Sequence, residues 1–225
     1  MLFGSIGCSA EQLSSEALIA AKGVCPEASD NQIKSAMGDL NGDNIPDVAI
    51  LLSCRSREDQ ELMVLHGQRG GSYKIAYRSQ VWPWNGRSEI ELEIRKGTLV
   101  LSEHCAYNCN PESWRSKYKF ATRNNRLILV GEDHISTLLS GKDFEVENES
   151  GNSVNYLIQK VIYWGRETGR GYSERKLAFK LKEPLKFTDF NLETCQIHRF
   201  CMPASMMKSP PTKSINLVST QGEKK

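Results

Sequence analysis

The stretch GDLNGDNIPDVAILLS, Gly38 to Ser53, sets Asp39, Asn41, Asp43 and Asp47 two or four residues apart and then runs straight into an apolar segment. Alternate residues of a tight loop can all aim oxygen atoms at one centre, and a hard cation such as calcium takes about six to eight oxygen ligands. Counted from Asp39, the pattern offers Asp39, Asn41 and Asp43 at the first, third and fifth positions, the Ile45 carbonyl at the seventh and Asp47 at the ninth. The predicted chemistry is Ca2+ binding by Asp39, Asn41, Asp43, Ile45 and Asp47, three carboxylates facing two positive charges. The sixth position, where the chain must turn sharply, is Asn44, the non-glycine residue best suited to left-handed backbone. An EF-hand needs a bidentate Glu at its twelfth position and flanking helices. That position is Ile50, in a β-type run, so an EF-hand is excluded and a different calcium loop remains. The plain alternative is a solvated acidic turn.

In wording and context GDLNGDNIPDVAILL resembles the FG-GAP and VCBS type of repeat loop, in which an Asp/Asn-rich calcium turn leads into a buried strand. A longer resemblance runs through that loop and then LMVLHG, SYKIAYRS, SWRSKYKFATRNNRLILVGED and SVNYLIQKVIYW, in this order. It is similar to bacterial exported proteins, lipoproteins among them, that carry a single such loop and have no assigned activity. The resemblance implies an envelope protein with one calcium loop. The loop has no second copy in the chain, which argues against a propeller built from its repeats.

Cysteine usage points to the same compartment. The seven cysteines are Cys8, Cys25, Cys54, Cys105, Cys109, Cys195 and Cys201, an odd number containing two close pairs. One special cysteine plus six in disulfides is the natural division. Cys8 is the special one: MLFGSIGCSAEQ is apolar and small up to it and polar after it, resembling the end of a bacterial lipoprotein signal whose cysteine is acylated. Ser5 stands where Leu is usual, and no charged n-region precedes it, so an export signal longer than this stretch is expected. An ordinary secretory cleavage at CSA, before Glu11, is the alternative. Either form of export means an oxidising compartment. Cys105 with Cys109, Cys195 with Cys201 and, by elimination, Cys25 with Cys54 are the expected bridges. A zinc site of Cys105, Cys109, Cys195 and Cys201 with His104 or His198 is the rival, disfavoured by the wide spacing of the second pair.

The elements that must position these groups are read from periodicity. Residues 10–22 carry apolar positions at Leu13, Ala17, Leu18, Ala20 and Ala21 and meet Gly23, which predicts one short helix. After Asp47 the period is two. Ile90, Leu92 and Ile94 alternate with Glu89, Glu91 and Glu93 and turn at Lys96-Gly97; Trp114, Tyr118 and Phe120 alternate with Arg115, Lys117 and Lys119 and turn at Asn124-Asn125. Further strands are predicted at ELMVLHG, GSYKIAYRS, KDFEVENES, SVNYLIQKVIYW and RKLAFKLKEP. The fold class is mainly β: an antiparallel sandwich or meander of about ten short strands with one N-terminal helix. Residues 1–9 read as the remnant of an export signal, 10–202 as one β-rich domain with its calcium loop at 38–47, and 203–225 as a flexible tail rich in Pro and small polar residues.

Other groups narrow the function class. With 29 Lys and Arg against 27 Asp and Glu the net charge is +2, which indicates neither nucleic-acid binding nor acidic disorder. Histidines at 66, 104, 134 and 198 sit in no hydrolase, zincin or phosphate-loop motif, and adjacent Asp133 and His134 on a strand point to opposite faces. No catalytic residues are assigned. Trp82 and Trp84 flank Pro83 in a turn, where exposed Trp would suit a partner contact and buried Trp would simply be core. The expectation is an exported, calcium-stabilised envelope binding protein, periplasmic or held at the membrane only through a lipid on Cys8. An immunity or inhibitor protein against a periplasmic toxin, and an envelope hydrolase with a dispersed active site, are the alternatives.

Overall fold

The structure is a computed structural model describing residues 13–28, 33–54, 58–83, 88–105, 112–140, 145–167, 171–198, 201 and 207–209. The chain is mainly β and antiparallel. One sheet of five strands comprises β1 (Ile33–Gly38), β2 (Asp47–Cys54), β3 (Asp59–Gly67) and β4 (Tyr73–Arg78) in chain order, with β5 (Trp82–Pro83) paired to the start of β3. A second sheet is an up-and-down meander of seven: β6 (Ser88–Arg95), β7 (Thr98–Cys105), β8 (Glu112–Arg123), β9 (Arg126–Ser140), β10 (Glu145–Asn155), β11 (Lys160–Glu167) and β12 (Gly171–Ala178). A small pair, β13 (Lys180–Leu181) with β14 (Met207–Ser209), puts a strand inside the stretch expected to be only tail. The remaining residues of 203–225 lie outside the described residues.

Local chemistry explains the turns. Lys96 and Gly97 have φ of 51° and 71°, and Asn124 and Asn125 have 50° and 58°. Two consecutive positive φ values make the type I′ turn whose twist matches a two-residue hairpin. The helix α1 (Ser15–Val24) is capped by Ser14, whose Oγ accepts the Ala17 N–H at 3.2 Å. It runs past Gly23, where the sequence predicts its end, because the Cys25 N–H still donates to the Ala21 carbonyl at 3.1 Å. A second helix, α2 (Leu192–His198), was not expected; the Asn191 side chain caps it by accepting the Thr194 N–H at 3.1 Å.

The layers are α1, the five-stranded sheet and the seven-stranded sheet. Ala49 and Leu51 of β2 with Leu62 and Val64 of β3 face the larger sheet, meeting Leu99, Leu101, Phe120 and Leu129. Val48, Ile50 and Leu52 with Met63 and Leu65 face the other way, onto Ala17 and Ala21 of α1. Burial on both faces is why VAILLS is apolar at successive positions and not at alternate ones. Phe187, Phe190 and Leu192 are buried in the same core as the two sheets, Phe190 standing edge-on to Phe120 with ring centroids 4.9 Å apart. Cys25 and Cys54 are bridged across a Cα separation of 6.0 Å and tie the end of α1 to the end of β2.

Along their free edges the two sheets touch at β1 and β6. The Lys34 Nζ donates to the Ile90 carbonyl at 2.7 Å, and Gly38 lies so close to β6 that a Cβ would fall 2.5 Å from Ile94 Cγ2. A side chain there must push the sheets apart, whereas a Cβ on Gly23 meets nothing within 4 Å. Gly38→Val is therefore expected to lower unfolding free energy by about 2 kcal/mol. Gly23→Ala, inside a helix, is expected to raise it by about 0.7 kcal/mol. Urea denaturation of the two variants beside the parent measures both signs.

Candidate functional site

The acidic loop joins β1 to β2, and its base and tip are built differently. At the base, Asp47 is fully buried, and its carboxylate accepts two backbone N–H groups from separate segments: Leu40 on Oδ2 at 2.9 Å and Gly67 on Oδ1 at 3.0 Å. Leu40 turns inward and is buried in the shared core. Gly67, the last residue of β3, sits against the Pro46 carbonyl, in space that a Cβ would occupy. Burial pushes the Asp47 carboxyl above its ordinary range, and the nearby Asp43 charge adds to this; the Leu40 and Gly67 N–H groups and His66 oppose the rise.

At the tip, the side chains fold back on the loop's own backbone. Asp39 accepts the Gly42 N–H on Oδ1 at 2.7 Å and the Asn44 N–H on Oδ2 at 2.9 Å. Asn41 Oδ1 accepts the Asp43 N–H at 2.9 Å, and Asp43 Oδ1 accepts the Ile45 N–H at 2.8 Å. Although burial alone would raise it, the Asp39 carboxyl lies below its ordinary value because the loop N–H groups, Asn44 and Gly42 foremost, favour its charged form. Asn44 has φ of 63°, the left-handed conformation its position demands, and Asp43 stands exposed.

Asp39, Asn41 and Asp43 thus present oxygens on one exposed loop, with Asp47 at its buried end. Oxygen donors at alternate positions around a left-handed turn suit a hard cation, and each carboxylate oxygen that accepts one N–H retains a second lone pair. The three loop carboxylates do not, however, close to within 4.8 Å of one another. Among the described residues the group of His, Cys, Asp or Glu side chains that does so is Cys25, Glu27 and Cys54, and its two cysteines are bonded to each other.

The other sequence-predicted residues fall as follows. Trp82 is a correction: it is 3% exposed, its indole N–H donates to Gln60 Oε1 at 3.1 Å, and its ring meets Phe190, so it is core and not a partner contact. Trp84, Cys109 and Cys8 lie outside the described residues. Cys195 and Cys201 are bridged to each other, with Cα atoms 4.0 Å apart, which removes both from any zinc site. Cys105 is also in a disulfide. His104 stands 3.2 Å from Glu89 in a cross-strand pair on the outer face of the seven-stranded sheet. His66 packs edge-on to Tyr77 with centroids 5.5 Å apart.

One set of polar residues went unrecognised in the sequence. Read straight across the seven-stranded sheet, register aligns Glu103, Ser116, His134, Asn152, Tyr163 and Arg175 in a single row from β7 to β12. Directly opposed residues share a face. The next row on that face, including Leu101, Tyr118, Glu132 and Val154, belongs to or borders the core, so the polar row marks where the sandwich interior turns hydrophilic. Ser116 Oγ and His134 Nδ1 are 2.8 Å apart, the spacing of a nucleophile and its base. Ser116 is only 3% exposed, which closes its hydroxyl to a substrate in this arrangement. The available signal was parity: each member lies two residues from a core position of its strand, as Ser116 does from Tyr118.

The chain matches no family model, no curated protein and no solved structure.

Asp47→Asn tests the base of the loop. An amide offers one acceptor oxygen where two N–H groups need partners, and it turns a donor toward the other. Stability is expected to fall by about 3 kcal/mol, with or without calcium, as measured by urea denaturation. Unchanged stability would mean that Asp47 does not hold Leu40 and Gly67.

Proposed function

We propose that this chain is an exported, calcium-stabilised binding protein of the bacterial cell envelope, periplasmic or anchored by a lipid on Cys8. The observation that carries the reading is the two-part loop: a rigid, buried base at Asp47 and an exposed oxygen-lined tip at Asp39, Asn41 and Asp43. Asp39, Asn41, Asp43 and the Ile45 carbonyl would hold the ion. Asp47 would complete the set through the lone pair that each of its oxygens keeps. Calcium supplies positive charge that relieves repulsion among the loop carboxylates, and it performs no chemical step.

The bridged cysteines support an oxidising compartment, since such bonds persist in exported proteins and are rare elsewhere. A clamp is a better role for the ion than a switch, because the base of the loop is already held by the fold. Extracellular modules bind calcium with dissociation constants of about 10⁻⁴–10⁻³ M, and tenfold excess over that constant stabilises by about 1.4 kcal/mol.

For a chain of this size that corresponds to a rise in melting temperature of about 4 °C in 10 mM calcium relative to EDTA. Asp43→Ala is expected to melt at one temperature under both conditions. Superimposable melts of the parent protein in calcium and in EDTA would contradict the calcium reading. Binding as the activity is tested separately, by cross-linking in intact envelopes: one stoichiometric protein partner is expected. Turnover of peptidoglycan or another glycan by the purified protein, lost in Ser116→Ala, would instead make the chain a hydrolase.

A further inference from the structure

Glu132, in the middle of β9, is a carboxyl where the sandwich should be apolar. It is 4% exposed and stands opposite Tyr118 on β8 and Val154 on β10. Its Oε2 accepts the N–H of Cys201 at 3.1 Å, and the Tyr156 hydroxyl, from the turn between β10 and β11, faces the same carboxyl. Cys201 is itself buried and bridged to Cys195 of α2. One side chain thus connects the central meander to the bridge that closes the C-terminal helix.

We propose that Glu132 is a proton-controlled latch: protonated, it holds the Cys195–Cys201 bridge down on the seven-stranded sheet, and once ionised it releases the bridge so that water can reach the charge. The groups facing it from each packed element are Tyr118 on β8, His134 on β9 itself, Tyr156 on the turn and Tyr163 on β11, while Asp133 acts on it from the opposite face of β9, where it is paired with Lys119. Glu103 on β7 acts on Tyr118, Arg175 on β12 acts on Tyr163, and Glu193 of α2 points to solvent. Among the described residues, the surroundings on this face are therefore phenols and the Ser116-bonded His134 ring, and Lys119 on the opposite face is taken up by Asp133 instead of Glu132. Cys201 is the element that can yield, since β8 and β10 are tied to β9 along their whole length.

The direction of the pH response follows. Burial, aided by the Asp133 charge and opposed by the Cys201 N–H and Tyr156, raises the Glu132 carboxyl from 4.5 to about 7 while the latch is closed. The closed form consequently binds the proton more tightly than the open one. Its advantage is complete below the ordinary carboxylate range, shrinks as pH rises, and is gone above about 7. Ser116 and His134, one row away on the same face, border the opening.

The test is amide hydrogen exchange of Cys201 in the oxidised full-length chain, corrected for intrinsic rates and referred to Leu129 in the sheet. Between pH 5 and pH 8 protection at Cys201 is expected to fall on the order of a hundredfold. In Glu132→Gln, which accepts the same N–H without ionising, protection is expected to be independent of pH. Tyr156→Phe, which removes the hydroxyl that faces the carboxyl and favours its charged form, should shift the midpoint to higher pH. Constant protection in the parent protein, or a pH-dependent loss that persists in Glu132→Gln, overturns the latch. Should Glu132→Gln fail to fold, an unmoved midpoint in Tyr156→Phe overturns it equally.

Discussion

A carboxylate removed from water must be given hydrogen-bond donors, and at Asp47 the donors come from two separate segments of the chain. One is Leu40, inside the loop, and the other is Gly67, at the far end of β3. Satisfying both draws the loop base onto the five-stranded sheet and fixes how the tip emerges. The absence of a side chain at Gly67 lets the Pro46 carbonyl approach, and Leu40 drops into the core on the other side. The tip then needs only its own backbone: Asp39 and Asn44 close the turn between them. A cation at that tip would draw the tip carboxylates together over a base already in place, which is the physical basis for a clamp of modest affinity.

The larger sheet applies the same rule to different residues. Its interior face changes from Leu101 and Val154 to Ser116 and Asn152 within one row, and the polar side chains there, Glu103, Ser116 and Asn152, are buried at a cost that hydrogen bonding must offset. Ser116 with His134, and Glu132 with the Cys201 N–H, are two such solutions. The first is internal to the meander, joining β8 to β9. The second reaches outward to a short helix with a single bridge behind it, so a change of charge there has somewhere to go.

How much of this was legible depended on the range of the interaction. The hairpins at Lys96-Gly97 and Asn124-Asn125, the helix at Ser15–Val24 and the loop turn at Asn44 are set by residues a few positions apart, and each was readable. So was the pairing of Cys195 with Cys201, close in sequence. β1 was missed because IKSAMG has no clean alternation; its small residues serve the approach of β6, a contact 56 positions away in the chain. α2 was missed because seven residues show no helical period. Trp82 could be assigned to neither core nor surface until Phe190 and Gln60 were known to surround it. The polar row was invisible for the plainest reason: each strand contributes one member, and only register aligns them.

The central claim is that the Asp39–Asp47 loop gathers a divalent cation on a base that the fold has already fixed. Calcium titration followed by backbone amide resonances tests it residue by residue. Saturable shifts confined to Asn41 through Ile45, with Leu40 and Gly67 amides remaining hydrogen-bonded and protected throughout, are the predicted result. Amides of the tip that stay in place up to 10 mM calcium, or that move equally with magnesium and sodium, would leave the loop a solvated turn and contradict the account.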